Sequence, residues 1–321
     1  MDLFTDVQKA RDRIASYIIQ TPLEHSPWLS RETGAEVYLK LEHLQTTGSF
    51  KLRGAANRLL SLLPEERERG VITASTGNHG AAVAYMADQL GVKATIYLPD
   101  NASSTKLDQL KLYAVELVAY GQDSVEAEAE ARRVAEAEGR TFISPYNDPY
   151  VMAGQGTLGA EVLDQLPDVQ QILVPVGGGG LIGGIAGYLQ DLAPQVQVVG
   201  CQPRNSAVMY QSVQAGKVLD LPSSPTLSDG TAGGLEADSI TFPVCQEAVN
   251  HWALISEAEI RAGLRFLLEK HYLLVEGAAA LSVAALRQEK ARYQGQKVVL
   301  ILCGRKLGLE TLQSLLAEVN A

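Results

Sequence analysis

A lysine that follows a Gly-Ser turn is the first residue in this sequence whose type and position suggest chemistry. Lys51 comes after Gly48, Ser49 and Phe50. Apolar residues then follow at helical spacing, namely Leu52, Ala55, Ala56, Leu59 and Leu60. Ser49 is predicted to cap a helix that holds Lys51 in its first turn. Because the positive end of a helix dipole disfavours an ammonium, this position favours the neutral amine that forms an imine with an aldehyde. A solvated surface lysine is the alternative.

Four successive glycines between a predicted buried strand and a predicted helix form a second chemical feature. They are Gly177, Gly178, Gly179 and Gly180. Their backbone N–H groups can converge on an anion, and the start of the following helix adds partial positive charge. A flexible turn would need only one or two glycines, so the run predicts a phosphate site.

The residues around this loop indicate which phosphate it would bind. Gly178, Gly180 and Gly183 fit the dinucleotide pattern GxGxxG, which expects an acidic residue at the end of the next strand. Gln202 stands at that place, and the lysine of a P-loop is missing. The pattern therefore favours a smaller phosphate ester and leaves an NAD-dependent oxidoreductase as a weak alternative.

A second strand-to-helix loop, residues 75–80, has the sequence STGNHG. Its hydroxyls, amide and small-residue backbone would suit a substrate carboxylate at a helix start. Asn78 could instead cap the helix predicted from residue 81, and His79 could be a capping or core histidine. An amine, a phosphate site and a carboxylate site together indicate pyridoxal 5'-phosphate (PLP) acting on an amino acid.

The composition limits the class of protein and its partners. The 321 residues carry a net charge of -10, which argues against binding to nucleic acid or to an anionic membrane surface. Three widely spaced cysteines without a CxxC pair predict neither a disulfide framework nor a zinc site, and they suit a reducing cytoplasm. The N-terminal segment is predicted to be an amphipathic helix over residues 5–18, not a signal peptide. No apolar run reaches transmembrane length.

Short apolar strands that alternate with helices must position these groups. Strands are predicted at residues 36–41, 71–74, 93–98, 115–119, 141–144, 172–176, 196–201, 251–255 and 297–302. Residues 64–70 are predicted to be a polar connection, and residues 222–238 an ordered loop. The alternation predicts an α/β protein with mostly parallel sheets and helices on both faces. Residues 70–147 are predicted to form a small domain inserted into a large one, which comprises residues 1–69 and 148–321.

Six segments of the chain resemble, in order, the fold type II (tryptophan synthase β-like) PLP enzymes of the serine/threonine dehydratase and serine racemase family. They are TGSFKLRGA, STGNHG, PVGGGGLIGG, SDGTAGG, EGAAA and LCGRK. The resemblance extends over nearly the whole chain and is greatest to the short catabolic dehydratases and the hydroxyectoine-utilisation dehydratase group. It implies two open, twisted sheets, PLP as cofactor, and a homodimer.

The resemblance also implies the activity and the role of each site residue. A 3-hydroxy amino acid (threonine, serine or a bulkier one, such as one derived from hydroxyectoine) would be converted to a 2-oxo acid and ammonia. Lys51 would form the imine with PLP and remove the α-proton of the substrate. The substrate carboxylate would lie among Ser75, Thr76, Gly77 and His79. The other cofactor contacts would come from Phe50, Asn78, Gly177, Gly178, Gly179, Gly180, Leu181, Glu276 and Cys303.

Among these residues, Cys303 bears on the type of reaction. The resemblance places its thiol at the pyridine nitrogen, and a thiol cannot fully protonate that nitrogen. Loss of a β-leaving group would then be favoured over transamination. Taken alone, Cys303 would be a small buried residue at a strand end.

The sequence departs from the family pattern at several positions, which leave alternatives open. Thr76 stands where racemases carry a serine, so a racemase remains an alternative, as do a β-replacement synthase and a non-catalytic binding protein. Gln202 and Val208 stand where some members carry acidic metal ligands, so no divalent metal site is predicted, and a monovalent cation stays open. Arg305 and Lys306 replace a small residue and an asparagine; they would steer a larger or more acidic substrate, or simply be solvated.

Overall fold

The structure is a computed structural model that describes residues 1–317, except for the side chains of Ser104 and Thr105. Its strands are β1 (Leu23–His25), β2 (Glu36–Lys40), β3 (Val71–Ala74), β4 (Ala94–Leu98), β5 (Glu116–Ala119), β6 (Thr141–Phe142), β7 (Gln171–Pro175), β8 (Gln197–Pro203), β9 (His251–Ile255) and β10 (Lys297–Ile301). Its α-helices are α1 (Leu3–Ile14), α2 (Pro27–Thr33), α3 (Lys51–Leu60), α4 (Pro64–Arg69), α5 (Asn78–Leu90), α6 (Ser104–Leu110), α7 (Ser124–Glu138), α8 (Pro149–Gln165), α9 (Gly180–Leu192), α10 (Val208–Ala215), α11 (Thr241–Ala248), α12 (Glu257–His271), α13 (Gly277–Gln288), α14 (Lys290–Tyr293) and α15 (Leu309–Ala317).

The strands form two sheets, with the orders β1-β2-β10-β7-β8-β9 and β5-β4-β3-β6. Neighbouring strands run parallel in both sheets, except that β1 pairs antiparallel with β2. The inner strands β3, β4, β7, β8 and β10 are almost wholly buried, as expected for parallel sheets between helices, whereas the edge strands β1, β5, β6 and β9 are partly exposed. This arrangement confirms the predicted α/β class with two mostly parallel sheets.

The strand register brings the predicted site loops to one edge of the larger sheet. Ile301 at the end of β10 pairs with Lys40 at the end of β2, and Leu300 pairs with Leu173 of β7. The segments after β2, β7 and β10 therefore leave the sheet at its carboxyl edge, where ligands bind in open α/β folds. An isolated antiparallel bridge between Ser49 and Gly304 joins two of these segments directly.

Helix α3, which carries Lys51 as its first residue, connects the two sheets. Leu52, Ala55 and Leu59 of α3 share a buried cluster with Val83 and Met86 of α5. Helix α5 begins in the loop of residues 75–80, so this packing holds Lys51 beside that loop. The predicted domain boundaries at residues 70 and 147 stay a prediction; strands β3 to β6 all lie between them.

A buried ionic cluster fixes α3 to α8 and to the segment after β2. The guanidinium of Arg53 contacts Glu42 Oε1 at 2.7 Å and Glu161 Oε1 at 2.6 Å. Lys40 Nζ lies 2.7 Å from Glu161 Oε2. All four residues are buried. Two cations and two anions balance one another here, two residues from Lys51.

Several local predictions were wrong for identifiable reasons. Ser49 does not cap α3: its backbone is held in the bridge to Gly304, and Phe50 is the N-cap. The polar connection at residues 64–70 is the helix α4, which has Pro64 at its first position and whose Glu66 side chain accepts from the Leu63 N–H. The first helix ends at Ile14. None of the helices between residues 1 and 317 combines the length and apolar character needed to cross a bilayer.

Candidate active site

Lys51 provides a buried amine at the start of α3. Its Nζ donates to Pro145 O at 2.8 Å and lies 5.2 Å from the centre of the Phe50 ring. Burial lowers the pKa of Lys51 to about 8, although the nearby Cys303 and Glu276 act in the opposite direction. This shift is toward the neutral amine that the sequence predicts, and its main cause is burial.

Glu276, the N-cap of α13, contacts two other predicted site residues, Asn78 and Cys303, and the backbone of Lys306. Its Oε2 accepts from Asn78 Nδ2 at 2.8 Å and from the Lys306 backbone N–H at 3.3 Å. The Cys303 Sγ lies 3.7 Å from Oε1. A Cβ on Gly304 would overlap the Glu276 carboxyl group, so only glycine fits between Cys303 and residue 305. Burial raises the pKa of Glu276.

Cys303 is a neutral thiol in this structure. Burial raises its pKa well above the ordinary value, and the charge of Glu276 raises it further. A protonated thiol is a weak hydrogen-bond donor and a weak acceptor. The predicted partner of the pyridine nitrogen is therefore uncharged.

The four glycines form a closely packed turn before α9. Gly179 is the N-cap of α9 with φ +87°, and a Cβ there would lie 2.6 Å from the Met209 methyl group. A Cβ on Gly178 would overlap the Tyr146 ring, and the Gly178 carbonyl accepts from Thr241 Oγ1 at 2.6 Å. Leu181, the next residue of α9, is buried. The turn is thus a backbone cradle at the start of a 13-residue helix.

The loop of residues 75–80 offers neutral donors. Ser75 Oγ accepts from the Gly77 N–H at 3.2 Å, and Thr76 is half-buried. Gly77 is the N-cap of α5, so Asn78 does not cap this helix and instead points its amide at Glu276. The His79 ring is buried and donates to Ile143 O at 3.0 Å. Burial lowers the pKa of His79 to about 3, so its ring is neutral and belongs to the core.

Two residues at the site were not found from the sequence. Tyr146 covers the glycine turn, and its hydroxyl accepts from the Glu236 N–H at 2.9 Å. Thr241, at the start of α11, donates to the turn itself. Tyr146 follows β6 and Thr241 follows a long loop, so no local pattern marks them as neighbours of residues 177–180.

The residues at this edge fit PLP. Asn78 Oδ1 is buried and has no hydrogen-bond partner within the described part of the chain, so it can take a polar group of a ligand. The glycine turn offers a backbone phosphate cradle at the start of α9, and the Tyr146 ring packs so closely against Gly178 that a Cβ there would overlap it. Lys51 supplies the amine. Fold and site together define a PLP enzyme of fold type II.

Comparison with known proteins gives the family. Residues 14–304 match the family described as "Pyridoxal-phosphate dependent enzyme". The chain is 41% identical over 309 residues to the L-threonine ammonia-lyase of Geobacter sulfurreducens, covering 96% of this chain and 77% of that protein. It is 36% identical over 318 residues to the L-threonine dehydratase catabolic TdcB of Escherichia coli K12, covering 98% and 96%. The structure of maize serine racemase aligns with a TM-score of 0.91 and 32% identity, covering 99% of this chain and 98% of that one.

The chain therefore belongs to the family of pyridoxal-phosphate dependent enzymes. The predicted family, fold class and cofactor are confirmed. The predicted enzyme class, a PLP-dependent lyase, agrees with the names of the threonine ammonia-lyase relatives.

Replacing Gly178 by alanine is expected to weaken PLP binding at least about tenfold, since the added methyl group must displace Tyr146 from a packed position. Equilibrium dialysis of PLP against the apoprotein measures this loss. The double variant Gly178→Ala with Tyr146→Ala removes the overlap and should recover part of the affinity. Wild-type affinity in Gly178→Ala alone would show that the turn does not hold the phosphate.

Proposed function

We propose that this chain is a PLP-dependent ammonia-lyase that converts L-threonine to 2-oxobutanoate and ammonia, and L-serine to pyruvate and ammonia. The observation that carries the proposal is the grouping of a buried amine at Lys51 with the neutral thiol of Cys303 and the carboxyl group of Glu276. The names of the relatives point to the same substrate.

When bound, PLP supplies an aldehyde that takes up the substrate amine and a ring that accepts electron density. Lys51 would hold the cofactor through its Nζ, and the same amine would serve as the base that takes the α-proton of a bound substrate. Its lowered pKa suits this task, because an amine with a pKa of about 8 has a far larger neutral fraction near neutral pH than an ordinary lysine has.

The neutral Cys303 thiol would favour elimination of the β-hydroxyl over storage of negative charge on the cofactor ring. A carboxylate partner would favour a protonated ring nitrogen and would stabilise the negative charge that follows proton removal. A thiol with a raised pKa does so poorly, so departure of the β-hydroxyl is favoured. Loss of the α-proton and the β-hydroxyl gives an enamine, which water converts to the 2-oxo acid and ammonia.

The remaining contacts are proposed from the family resemblance, and the positions of the residues in the structure are compatible with them. Asn78 would meet the 3-hydroxyl of PLP, Phe50 the ring, and residues 177–181 the phosphate. Ser75, Thr76 and the backbone at Gly77 would meet the substrate carboxylate. His79 would contribute there only through its backbone, since its ring donates to Ile143 O.

We further propose that the protein is a cytoplasmic homodimer. Each protomer would comprise a large domain of residues 1–69 and 148–321 and a small domain of residues 70–147. The three free, buried cysteines are consistent with a reducing compartment. Exposed apolar side chains such as Trp28 and Tyr272 are consistent with a covered surface.

Incubation of the PLP-loaded protein with L-threonine should release 2-oxobutanoate and ammonia in equal amounts. The oxo acid is measured by reduction with NADH and a dehydrogenase, and ammonia by an independent assay. L-Serine and bulkier 3-hydroxy amino acids tested at equal concentration rank the substrates. A protein that stays colourless with PLP, or that forms no oxo acid from any of them, would contradict the proposal.

Racemisation is the second candidate, favoured by the structural similarity to maize serine racemase. Thr76 would supply the hydroxyl on the face of the substrate away from Lys51. Chiral analysis of the amino acid left after partial reaction separates the two activities, because a pure lyase leaves only the starting enantiomer.

A further inference from the structure

Lys306 is a second amine at the site, and both its backbone and its side chain are fixed. Its N–H donates to Glu276 Oε2 at 3.3 Å, and its Nζ donates to Gly77 O at 3.2 Å. The segment that carries it is held by the bridge between Gly304 and Ser49 and by the Glu276 N–H, which donates to Gly304 O at 3.1 Å. The ammonium therefore lies against the loop of residues 75–80 in one defined position.

That loop would otherwise meet a substrate carboxylate with neutral groups alone. Ser75, Thr76 and the Gly77 N–H carry no charge, and the His79 ring is neutral and donates to Ile143 O. Among the hydrogen bonds of the described residues, only Lys306 brings a cationic side chain to this loop. Charge-assisted hydrogen bonds to a carboxylate are about twice as strong as neutral ones.

The Lys306 ammonium also has N–H donors available for a further hydrogen bond. An ammonium has three N–H groups, and within the described part of the chain Lys306 Nζ uses one of them, on Gly77 O. No carboxylate oxygen of the described residues lies within 4.0 Å of it. Burial lowers its pKa to about 8, the charge of Glu276 acts in the opposite direction, and Lys106 and Arg305 lower it further. A bound carboxylate would give this partly desolvated ammonium a counter-charge and a hydrogen-bond acceptor.

We propose that Lys306 binds the α-carboxylate of the amino-acid substrate with its ammonium while resting on Gly77 O. This inference depends on the proposed function, because it assumes that an amino acid binds beside Lys51. Lys306, the last residue of the LCGRK segment, would then recognise the substrate. The carboxylate site would have two parts, the loop of residues 75–80 and the segment that follows β10. Selectivity for free amino acids over their amides follows from it.

The test compares two ligands that cannot lose a β-hydroxyl, L-alanine and L-alaninamide, on the PLP-loaded protein. Binding is measured from the change in the visible absorbance of the cofactor. Each ligand is compared with itself across variants, so differences in its own basicity cancel. Lys306→Gln keeps a polar side chain that can still donate to Gly77 O, Lys306→Arg keeps the charge, and Lys106→Met removes a nearby exposed charge as the matched control.

Lys306→Gln should weaken L-alanine binding by about ten- to a hundredfold, the effect of a lost hydrogen bond between charged groups, and L-alaninamide binding by less than about twofold. Lys306→Arg should restore most of the L-alanine affinity, and Lys106→Met should change neither ligand more than about twofold, since exposed charges act weakly at a distance. Equal losses for both ligands, or no loss for L-alanine, would overturn the inference. If neither ligand binds to the wild type, the proposed function itself fails.

Discussion

Lys51→Ala should take up PLP without forming the visible absorbance band of lysine-bound cofactor, and its turnover of L-threonine should fall by about a thousandfold or more. Two roles are lost together, the covalent attachment of the cofactor and the base that removes the α-proton, and general base catalysis alone contributes about 10²–10⁴-fold. Lys51→Arg keeps a long cationic side chain but cannot form the imine, so it should be equally inactive.

The candidate site contains a second amine with a lowered pKa, Lys306, so the labelled lysine must be identified directly. Borohydride reduction of the wild-type protein followed by peptide mass spectrometry should place the cofactor label on Lys51. A label on Lys306, or a normal visible band in Lys51→Ala, would show that the wrong lysine has been assigned. A buried lysine with a lowered pKa destabilises the folded state, so Lys51→Ala is not expected to lower the unfolding temperature of the apoprotein. An unchanged unfolding temperature would show that the variant loses activity without losing its fold.

The parts of the site that could be predicted from the sequence are those set by short segments. Lys51 at a helix start and the glycines of residues 177–180 between strand and helix are local patterns, and the structure places both where the patterns indicate. The alternation of apolar strands and helices was enough to predict mostly parallel sheets, and the family resemblance implied that there are two. Such features depend on neighbours in the chain, which a single sequence shows directly.

The parts that could not be predicted depend on residues far apart in the chain. Asn78 meets Glu276 across 198 residues, and Lys306 meets Gly77 across 229. Serine is a typical N-cap residue, but the backbone of Ser49 is bridged to Gly304, and the helix is capped at Phe50 instead. His79 stands in a loop that suits anions, yet its ring turns to Ile143 O. In each case a long-range contact outweighs the local preference, and no local pattern indicates that contact.

The buried ionic cluster around Arg53 is a further long-range feature, and its removal should have the largest effect on stability. Arg53→Met leaves Glu42, which is fully buried, without its main cation, because Lys40 bonds to Glu161, to Thr21 O and to Gln165. Burial alone would raise the pKa of Glu42, but the charge and hydrogen bonds of Arg53 outweigh it and hold the pKa below its ordinary value. Breaking a buried ion pair on one side costs about 3–5 kcal/mol.

Urea unfolding of the apoprotein should therefore give a free energy of unfolding about 3–5 kcal/mol lower for Arg53→Met. The matched control is Arg133→Met, which breaks a surface pair with Glu130 on α7 and should change the free energy of unfolding far less, because solvent screens surface ion pairs. Adding Glu42→Gln to Arg53→Met removes the unpaired charge and should recover part of the loss. A loss below about 1 kcal/mol in Arg53→Met, or a further loss on adding Glu42→Gln, would contradict this account of the cluster. Because Arg53 lies two residues after Lys51 on α3, the same variant should also bind PLP more weakly, which would link the stability of this cluster to the position of the catalytic amine.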